Sequence, residues 1–256
     1  MSKIYVLQLK INCQERMVNM GIKKFIRKIV FPNSYDSKAY LNYLRRGGVQ
    51  IGEHTVIYSP NRTAIDVNKK HLIKIGDYCK ITAGVTILDH DYSRSVASRV
   101  YGQFIGGSLP VVIGDNVFIG EHATILMGTT IGNNCIVGAN SLVKGTFPDN
   151  VVIAGNPAKI VCTLEEYYER AKKNWVDDAK RCAKSIYEHT GRKPTIEEMS
   201  DTYIELYMPH TQATIDQYPY MFTRSADDHE KIKNDFLSSK PLYPNFDSFL
   251  EDCGIK

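Results

Sequence analysis

Residues 113–143 read IGDNVFIGEHATILMGTTIGNNCIVGANSLV, with a branched aliphatic side chain at every sixth position. These positions are Ile113, Ile119, Ile125, Ile131, Val137 and Val143. A period of six differs from the 3.6 residues per turn of a helix and from the two-residue alternation of a strand. It is the period of a solenoid, in which each hexad forms a short straight face and a bend and three hexads close a triangular coil.

The same spacing occurs earlier in the chain in a different register, at Ile51, Ile57, Ile75, Ile81 and Ile87. The aliphatic side chains should point inward and stack on their equivalents in neighbouring coils, while glycine, asparagine and aspartate take the bends. From Ile87 to Ile113 there are 26 residues, which is four hexads plus two. The register therefore breaks, and we expect residues 90–110 to form a protruding loop that leaves the coil.

Helical patterns flank the solenoid, which we assign to residues 49–161. Residues 1–48 are predicted to be a helical N-terminal segment, and residues 162–256 an α-helical C-terminal domain. Apolar spacing and capping signals predict helices at Gly21–Phe31, Asp36–Arg46, Thr163–Thr190, Thr195–Tyr207, Ser225–Leu237 and Asn245–Asp252. The C-terminal domain has two open interpretations, a cap over the end of the solenoid or a tyrosine-rich platform that shapes an acceptor site.

The composition favours a cytoplasmic protein. The 256 residues are 43% hydrophobic, with no run of 18 apolar residues and no secretory signal pattern at the N-terminus. Six cysteines without paired spacing indicate reduced thiols rather than disulfides or a metal site. A net charge of +4 is too small to indicate a nucleic-acid partner. The basic segment at residues 21–31 fits a helix that packs on its own protein, with peripheral contact to an anionic membrane as the alternative.

Two motifs resemble those of a known family. The hexads IGDNVFIG at Ile113–Gly120 and the ending VVIAGNPAK at Val151–Lys159 are similar to those of the left-handed β-helix, or hexapeptide-repeat, acyltransferases. Within that family the chain resembles maltose, galactoside and nodulation-type acetyltransferases, and more closely the sugar O-acetyltransferases of capsule and lipopolysaccharide gene clusters. The resemblance covers about residues 50–165. It implies a mainly β fold built on a left-handed parallel β-helix.

The segment Thr86–Tyr92, TILDHDY, matches the family's catalytic segment, so the resemblance implies that His90 is the general base. The chemistry agrees, because a near-neutral imidazole is well suited to take a proton from a hydroxyl group. Asp89 or Asp91 could orient the imidazole ring, as in a catalytic triad. By resemblance, the backbone amide of Glu121 is the donor that stabilises the oxyanion.

The resemblance also implies the acyl donor, acetyl-CoA, and no metal. It places Phe118 beside the donor groove, exposed backbone near Gly138 and Ala139 against the pantetheine, and Lys159 at the nucleotide phosphates. Relatives often carry a lysine where this chain has Gly145, so the neighbouring Lys144 is the candidate to replace it. Residues predicted to contact the carbohydrate acceptor are Asp89, Asp91, Tyr92, Arg94 and Tyr101. The family's loop reaches a neighbouring subunit, so the resemblance implies a homotrimer.

We therefore expect an acetyl-CoA-dependent O-acetyltransferase that acts on a sugar hydroxyl of a surface polysaccharide, capsule or lipopolysaccharide, or of its precursor. An antibiotic acetyltransferase of the streptogramin or chloramphenicol type is the first alternative. A zinc carbonic anhydrase on the same fold needs three converging histidines. The candidates His54, His71, His90 and His122 lack the close pair expected for that site. The alternative without catalysis is a β-helix scaffold whose histidine is incidental.

Overall fold

A computed structural model describes residues 26–200, 202–223 and 229–255. Short strands follow one another around three sheets, and in each sheet neighbouring coils pair in parallel. The first sheet holds β1 (Gln50–Ile51), β4 (Ile73–Ile75), β7 (Val111–Ile113), β10 (Thr130–Ile131) and β13 (Thr146–Phe147). The second holds β2 (Val56–Ile57), β5 (Lys80–Ile81), β8 (Phe118–Ile119), β11 (Ile136–Val137), β14 (Val151–Gly155) and the antiparallel β15 (Ala158–Thr163). The third holds β3 (Ala64–Ile65), β6 (Thr86–Ile87), β9 (Thr124–Ile125) and β12 (Leu142–Val143). This is the parallel β-helix that the period of six predicts.

The hexad side chains form the core of the β-helix. The six aliphatic residues from Ile113 to Val143 are each at most 1% exposed. The two registers join across the break, because Ile75 pairs with Ile113, Ile81 with Ile119 and Ile87 with Ile125. The break in the sequence pattern is therefore an insertion between stacked coils and leaves the stack itself continuous.

Acidic and amide side chains close the bends that follow the first sheet. In each of these bends, an aspartate or asparagine Oδ1 accepts a hydrogen bond from a backbone amide of the preceding coil, at 2.6–2.8 Å. The accepting residues are Asp77, Asp115, Asn133 and Asp149. Left-handed backbone follows at Asn116, Asn134 and Asn150, which asparagine adopts at little cost. The predicted use of these residues in the bends is confirmed, and we call the four acceptors the bend ladder.

Two helical stretches precede the β-helix among the described residues. α1 (Ser37–Arg46) begins at Asp36, whose Oδ1 accepts from the Ala39 amide at 2.9 Å, so the predicted second helix is confirmed. Residues 21–25 of the predicted first helix lie outside the described residues, and residues 26–30 are helical. Ile26, Ile29 and Val30 are more than half exposed, whereas Arg27 Nη2 donates to Asn61 Oδ1 at 3.3 Å.

The insertion between β6 and β7 carries α2 (Arg94–Tyr101), where the sequence predicted only a protruding loop. Its two ends are joined by short backbone contacts. The Asp91 amide donates to the Gly107 carbonyl and the Leu109 amide to the Asp89 carbonyl, each at 3.1 Å. This insertion, which we call the excursion, therefore leaves and re-enters the coil at one place, and that place is next to His90.

The chain divides into two compact units, Met1–Leu164 and Glu165–Lys256. The helices that follow the β-helix are α3 (Leu164–Thr190), α4 (Ile196–Met199), α5 (Gln212–Gln217), α6 (Pro219–Thr223), α7 (His229–Ser238) and α8 (Phe246–Asp252). Among the described residues, none of the helices is both long enough and apolar enough to cross a bilayer.

The predicted helix from Thr195 to Tyr207 is wrong in its length. Thr195 does form a capping box with Glu198, but α4 ends at Met199. The Ser200 hydroxyl turns back to the Glu197 carbonyl at 3.0 Å, a local bond that competes with helix continuation. A short 3₁₀ turn at Ile204–Leu206 then buries Ile204, Leu206 and Tyr207 in the core of this unit, a spacing that a continuous helix would not place on one face.

Candidate active site

His90 lies just after β6, where the chain leaves the third sheet. Its Nδ1 contacts Oδ2 of Asp66 and lies 3.3 Å from Oδ1 of Asp89. Asp66 follows β3, the strand paired with β6, and its amide donates to the Ile87 carbonyl at 2.9 Å. The stacking of two coils therefore delivers the carboxylate to the ring. With Nδ1 donating to Asp66, the lone pair of Nε2 is left to accept a proton.

The two carboxyl groups beside His90 differ in their proton affinity. Burial raises the pKa of Asp89, and the neighbouring Asp66 raises it further. Burial also opposes ionisation of Asp66, but hydrogen bonds from the Asn68 amide, Asp89 and His90 outweigh it and lower the pKa of Asp66. The Asp89 side chain has no exposed surface, so the predicted contact between Asp89 and an acceptor does not fit its position. Asp89 contacts His90 instead.

Asp91 and Arg94 are engaged within the excursion. Asp91 Oδ1 accepts from the Ser93 amide at 2.9 Å and from the Ser93 hydroxyl at 2.6 Å, and these bonds lower the pKa of Asp91. The Arg94 guanidinium lies 3.7 Å from the Asp91 carboxylate and donates to the Gly106 carbonyl at 2.6 Å. Of the two aspartates predicted to orient His90, only Asp89 contacts the ring. Arg94 joins the two ends of the excursion and also lines the cleft beside His90.

His90 borders two clefts. One lies under the excursion and is lined by Asn68, Lys69, Tyr92, Arg94, Phe104 and the Gly106–Ser108 backbone, among others. The other runs along the third sheet and is lined by Leu88, Leu126, Met127 and Lys144, together with His90, Asp91 and Tyr92. The Tyr92 ring packs edge-on against the imidazole, with ring centres 4.4 Å apart. Tyr101 lines neither cleft and is 80% exposed. An imidazole between two clefts can act between a hydroxyl group that accepts an acyl group and the molecule that supplies it.

The remaining predicted residues lie together at the second sheet and the bend that follows it. Phe118 is on β8, with its side chain partly exposed. Gly138 stacks against Ala154, and Ala154 is paired with Lys159. The small residues matter here, because a Cβ on Gly120 would lie 2.5 Å from the amide nitrogen of Ala139.

The backbone amide of Glu121 differs from the equivalent amides in the bends after the first sheet. In the bend ladder, the corresponding amides donate to an aspartate or asparagine of the next coil. At the bend after the second sheet, the next coil offers Ala139, which has no side-chain acceptor. The Glu121 amide accordingly donates no hydrogen bond to another described residue. It has the free N–H that an oxyanion donor requires.

Within one chain, the predicted residues around His90 lie apart from those around Glu121. Glu121 precedes β9 at one end of the third sheet, whereas His90 follows β6 at the other end of that sheet. Lys144 follows β12 and lies in the cleft beside His90, away from Lys159 on the second sheet. The idea that Lys144 and Lys159 hold the same phosphates therefore has no support within a single chain.

The described residues contain no cluster of three histidines of the kind that a zinc carbonic anhydrase uses. His54 stacks on Tyr78 with ring centres 4.6 Å apart, and His122 lies over Gly84. The cluster around His90 has a single imidazole, whose Nδ1 already contacts Asp66. We assign no metal to it.

Known proteins agree with the repeat pattern. The family described as hexapeptide repeat of succinyl-transferase matches residues 110–144. The CapG protein of Staphylococcus aureus is 37% identical over 153 residues, which are 60% of this chain and 85% of CapG. The chain belongs to the hexapeptide-repeat acyltransferases. This confirms the resemblance seen in the sequence.

Two further known proteins are similar to parts of this chain. A putative lipopolysaccharide biosynthesis O-acetyl transferase, WbbJ of Escherichia coli K12, is 52% identical over 68 residues, 27% of this chain and 33% of WbbJ. A solved hexapeptide-repeat acetyltransferase from Vibrio cholerae is 23% identical with a TM-score of 0.41, covering 56% of this chain and 89% of that one. The match to WbbJ thus spans about a third of that relative's length.

Proposed function

We propose that this acyltransferase transfers the acetyl group of acetyl-CoA to a sugar hydroxyl of a surface polysaccharide, capsule or lipopolysaccharide, or of its precursor. The observation that carries the proposal is His90, held through Nδ1 by Asp66 at the meeting point of two clefts. The similarity to WbbJ supports the acceptor class. The small-residue bend at Gly120 and Gly138 supports a donor that lies close to the backbone.

The proposed reaction is direct transfer. His90 Nε2 takes the proton of the sugar hydroxyl, and the oxygen attacks the carbonyl carbon of the acetyl thioester. The oxyanion of the tetrahedral intermediate accepts a hydrogen bond from the Glu121 amide. The carbon–sulfur bond then breaks, and the proton on Nε2 passes to the departing thiolate. The products are the sugar acetate and coenzyme A, and His90 returns to its starting state.

We further propose that the β-helix is left-handed and that three chains assemble into a homotrimer. His90 and Glu121 lie at opposite ends of the third sheet, so a site that uses both needs two chains. The same arrangement would unite Lys144 of one chain with the Phe118, Gly138, Ala139 and Lys159 group of another. The excursion supplies exposed apolar side chains for such contacts, including Val96, Val100 and Phe104.

The function is tested by incubating the purified protein with radiolabelled acetyl-CoA and a panel of acceptors. The panel holds nucleotide sugars, capsule and lipopolysaccharide fragments, chloramphenicol and a streptogramin. Acetyl transfer to a carbohydrate supports the proposal. Higher kcat/KM for either antibiotic than for every carbohydrate would replace it with the antibiotic-inactivating alternative. A protein that binds no acetyl-CoA would be a scaffold.

A mixing experiment tests the shared site. His90→Ala should inactivate one half of the site and Ala139→Trp, at an exposed position, should block the other half. Each variant alone should be inactive. Trimers re-formed from equal amounts should regain roughly a quarter of the wild-type activity, because one site in four then pairs an intact His90 with an intact Ala139. Mixed trimers without activity would place the whole site within one chain.

The cellular setting is part of the proposal. Cys79, Cys135 and Cys253 are free thiols buried in the protein, which suits a reducing cytoplasm. Peripheral contact of residues 21–31 with an anionic membrane also stays a proposal, supported by the exposed apolar side chains at Ile26, Ile29 and Val30.

A further inference from the structure

Asp89 is a buried carboxyl group without a conventional partner. Its side chain has no exposed surface, and its Oδ2 is buried with no hydrogen-bond donor directed at it. Its Oδ1 lies 3.3 Å from His90 Nδ1, but Asp66 makes the closer contact with that nitrogen. Two carboxyl groups therefore share a single imidazole.

The charges in this cluster do not balance if both carboxyl groups are ionised. A neutral His90, the form that a general base needs, would leave two adjacent anions inside the protein. A buried carboxylate oxygen without a donor is costly, and a like charge beside it makes ionisation harder still. Protonation of one carboxyl group removes the second negative charge, and it adds an O–H group that can donate a hydrogen bond to the other carboxylate.

We propose that Asp89 is a neutral carboxylic acid at physiological pH, which donates its proton to Asp66 and so leaves Asp66 as the single anion that holds His90. Asp89 is then a positioning residue, because it acts on His90 through Asp66. The inference rests on the proposed function for its kinetic consequence, although the protonation state itself can be measured in the resting protein.

The proton affinities agree with this geometry. The pKa of Asp89 is raised by burial and by Asp66, while the pKa of Asp66 is lowered by bonds that include one from Asp89. The other charged groups around the cluster are Lys69 and Arg94 in one cleft and Lys144 in the other. Asp91 lies at the edge of both clefts, and its carboxylate is occupied by Ser93 and Arg94.

The first test compares the melting temperatures of the wild-type protein and Asp89→Asn between about pH 4 and about pH 8. A raised pKa in the folded state stabilises the protein fully below the unfolded pKa, and this contribution is lost as pH rises through the folded value. Asparagine keeps a donor toward Asp66 and cannot ionise. The melting temperature of Asp89→Asn relative to the wild type should therefore increase as pH rises.

The control variant should show the opposite dependence of melting temperature on pH. Asp91→Asn removes a carboxyl group whose pKa is lowered, so its stabilising contribution is present above the unfolded pKa and lost as pH falls. In a scan extended down to about pH 3, its relative melting temperature should decrease as pH rises toward the usual aspartate pKa of about 4, and should stay level above it. If the relative melting temperature of Asp89→Asn stays level or falls between about pH 4 and about pH 8, Asp89 is ionised in that range and the inference is overturned.

A second measurement needs no variant. In the wild-type protein labelled with [¹³C]aspartate, one side-chain carboxyl carbon should keep the chemical shift of a protonated acid at neutral pH. A spectrum in which every aspartate is ionised at that pH overturns the inference, even if Asp89→Asn does not fold.

The kinetic test separates this inference from the proposed function. Asp89→Leu should lower kcat roughly tenfold or more, which is the usual effect of removing a group that orients a functional side chain. Asp89→Asn should recover most of that loss. Equal losses in the two variants would mean that a charge is needed at this position. If the protein acetylates no carbohydrate while the melting and carbon-shift tests succeed, the proposed function fails and the protonation state stands.

Discussion

Replacing His90 by alanine is expected to lower kcat about 10²- to 10⁴-fold, the contribution of a positioned general base. The imidazole is where the two clefts meet, and Nδ1 is engaged by Asp66 so that Nε2 can take the hydroxyl proton. The ring is partly exposed, with 22% of its side-chain surface accessible, so its removal leaves no large cavity in the core. Folding and acetyl-CoA affinity should therefore be retained.

The measurement is kcat for acetyl transfer beside the dissociation constant for acetyl-CoA and the melting temperature. His71→Ala is the matched control, because His71 is exposed on a 3₁₀ turn and lines neither cleft. It should have the wild-type kcat. A His90→Ala enzyme that keeps more than about a tenth of wild-type kcat would remove the base assignment.

Asp66→Asn is expected to have an effect of similar size, up to about 10⁴-fold on kcat, as when the aspartate of a catalytic triad is replaced by asparagine. An asparagine amide can donate to Nδ1 of His90, which moves the ring proton to Nε2. The imidazole then has no lone pair facing the hydroxyl group. The side-chain volume is nearly unchanged, so the loss arises from the tautomer and from the missing charge.

The pKa of Asp66 determines the pH range in which the effect of Asp66→Asn should be seen. The pKa of Asp66 is lowered, so the carboxylate is ionised above the usual aspartate range and is lost only as pH falls through its folded value. Asp66 should thus be ionised at every pH from about 5 upward, and the loss of kcat in Asp66→Asn should be present across that range. Asp77→Asn is the control, because asparagine preserves the Oδ1 that accepts from the Glu53 amide. A ratio of wild-type to Asp66→Asn kcat near one at neutral pH would show that Asp66 does not orient the base.

The period of six predicted the β-helix because interior stacking leaves a direct mark on the sequence. Every coil needs its aliphatic residue at the same place, as at Ile81 and Ile119, which pair across the break. The location of His90 at the break was predictable for the same reason. The handedness leaves no such mark, and neither does the assembly.

Asp66 was missed because its role depends on stacking between coils. The hexad rule fails at Thr63 and Lys69, and the chain makes a 3₁₀ turn at Lys70–Leu72 before β4 begins. Only the observed pairing of Ile65 with Ile87 shows that Asp66 lies beside the residues leading to His90. An acidic residue within an irregular hexad was the available signal. The helix predicted to reach Tyr207 failed for a related reason, since tertiary burial overrode a local capping signal.

The bend ladder has a consequence for synthesis on the ribosome. Each bend is completed by an acceptor from a later coil, so a growing chain leaves every bend unfinished until more of the protein has emerged. The interval is 24 residues for Glu53, 18 for Asp115 and 16 for Asn133. For Asp77 it is 38 residues, because the excursion after His90 must be made first. The excursion after His90 thus creates the longest interval between a bend and the acceptor that completes it.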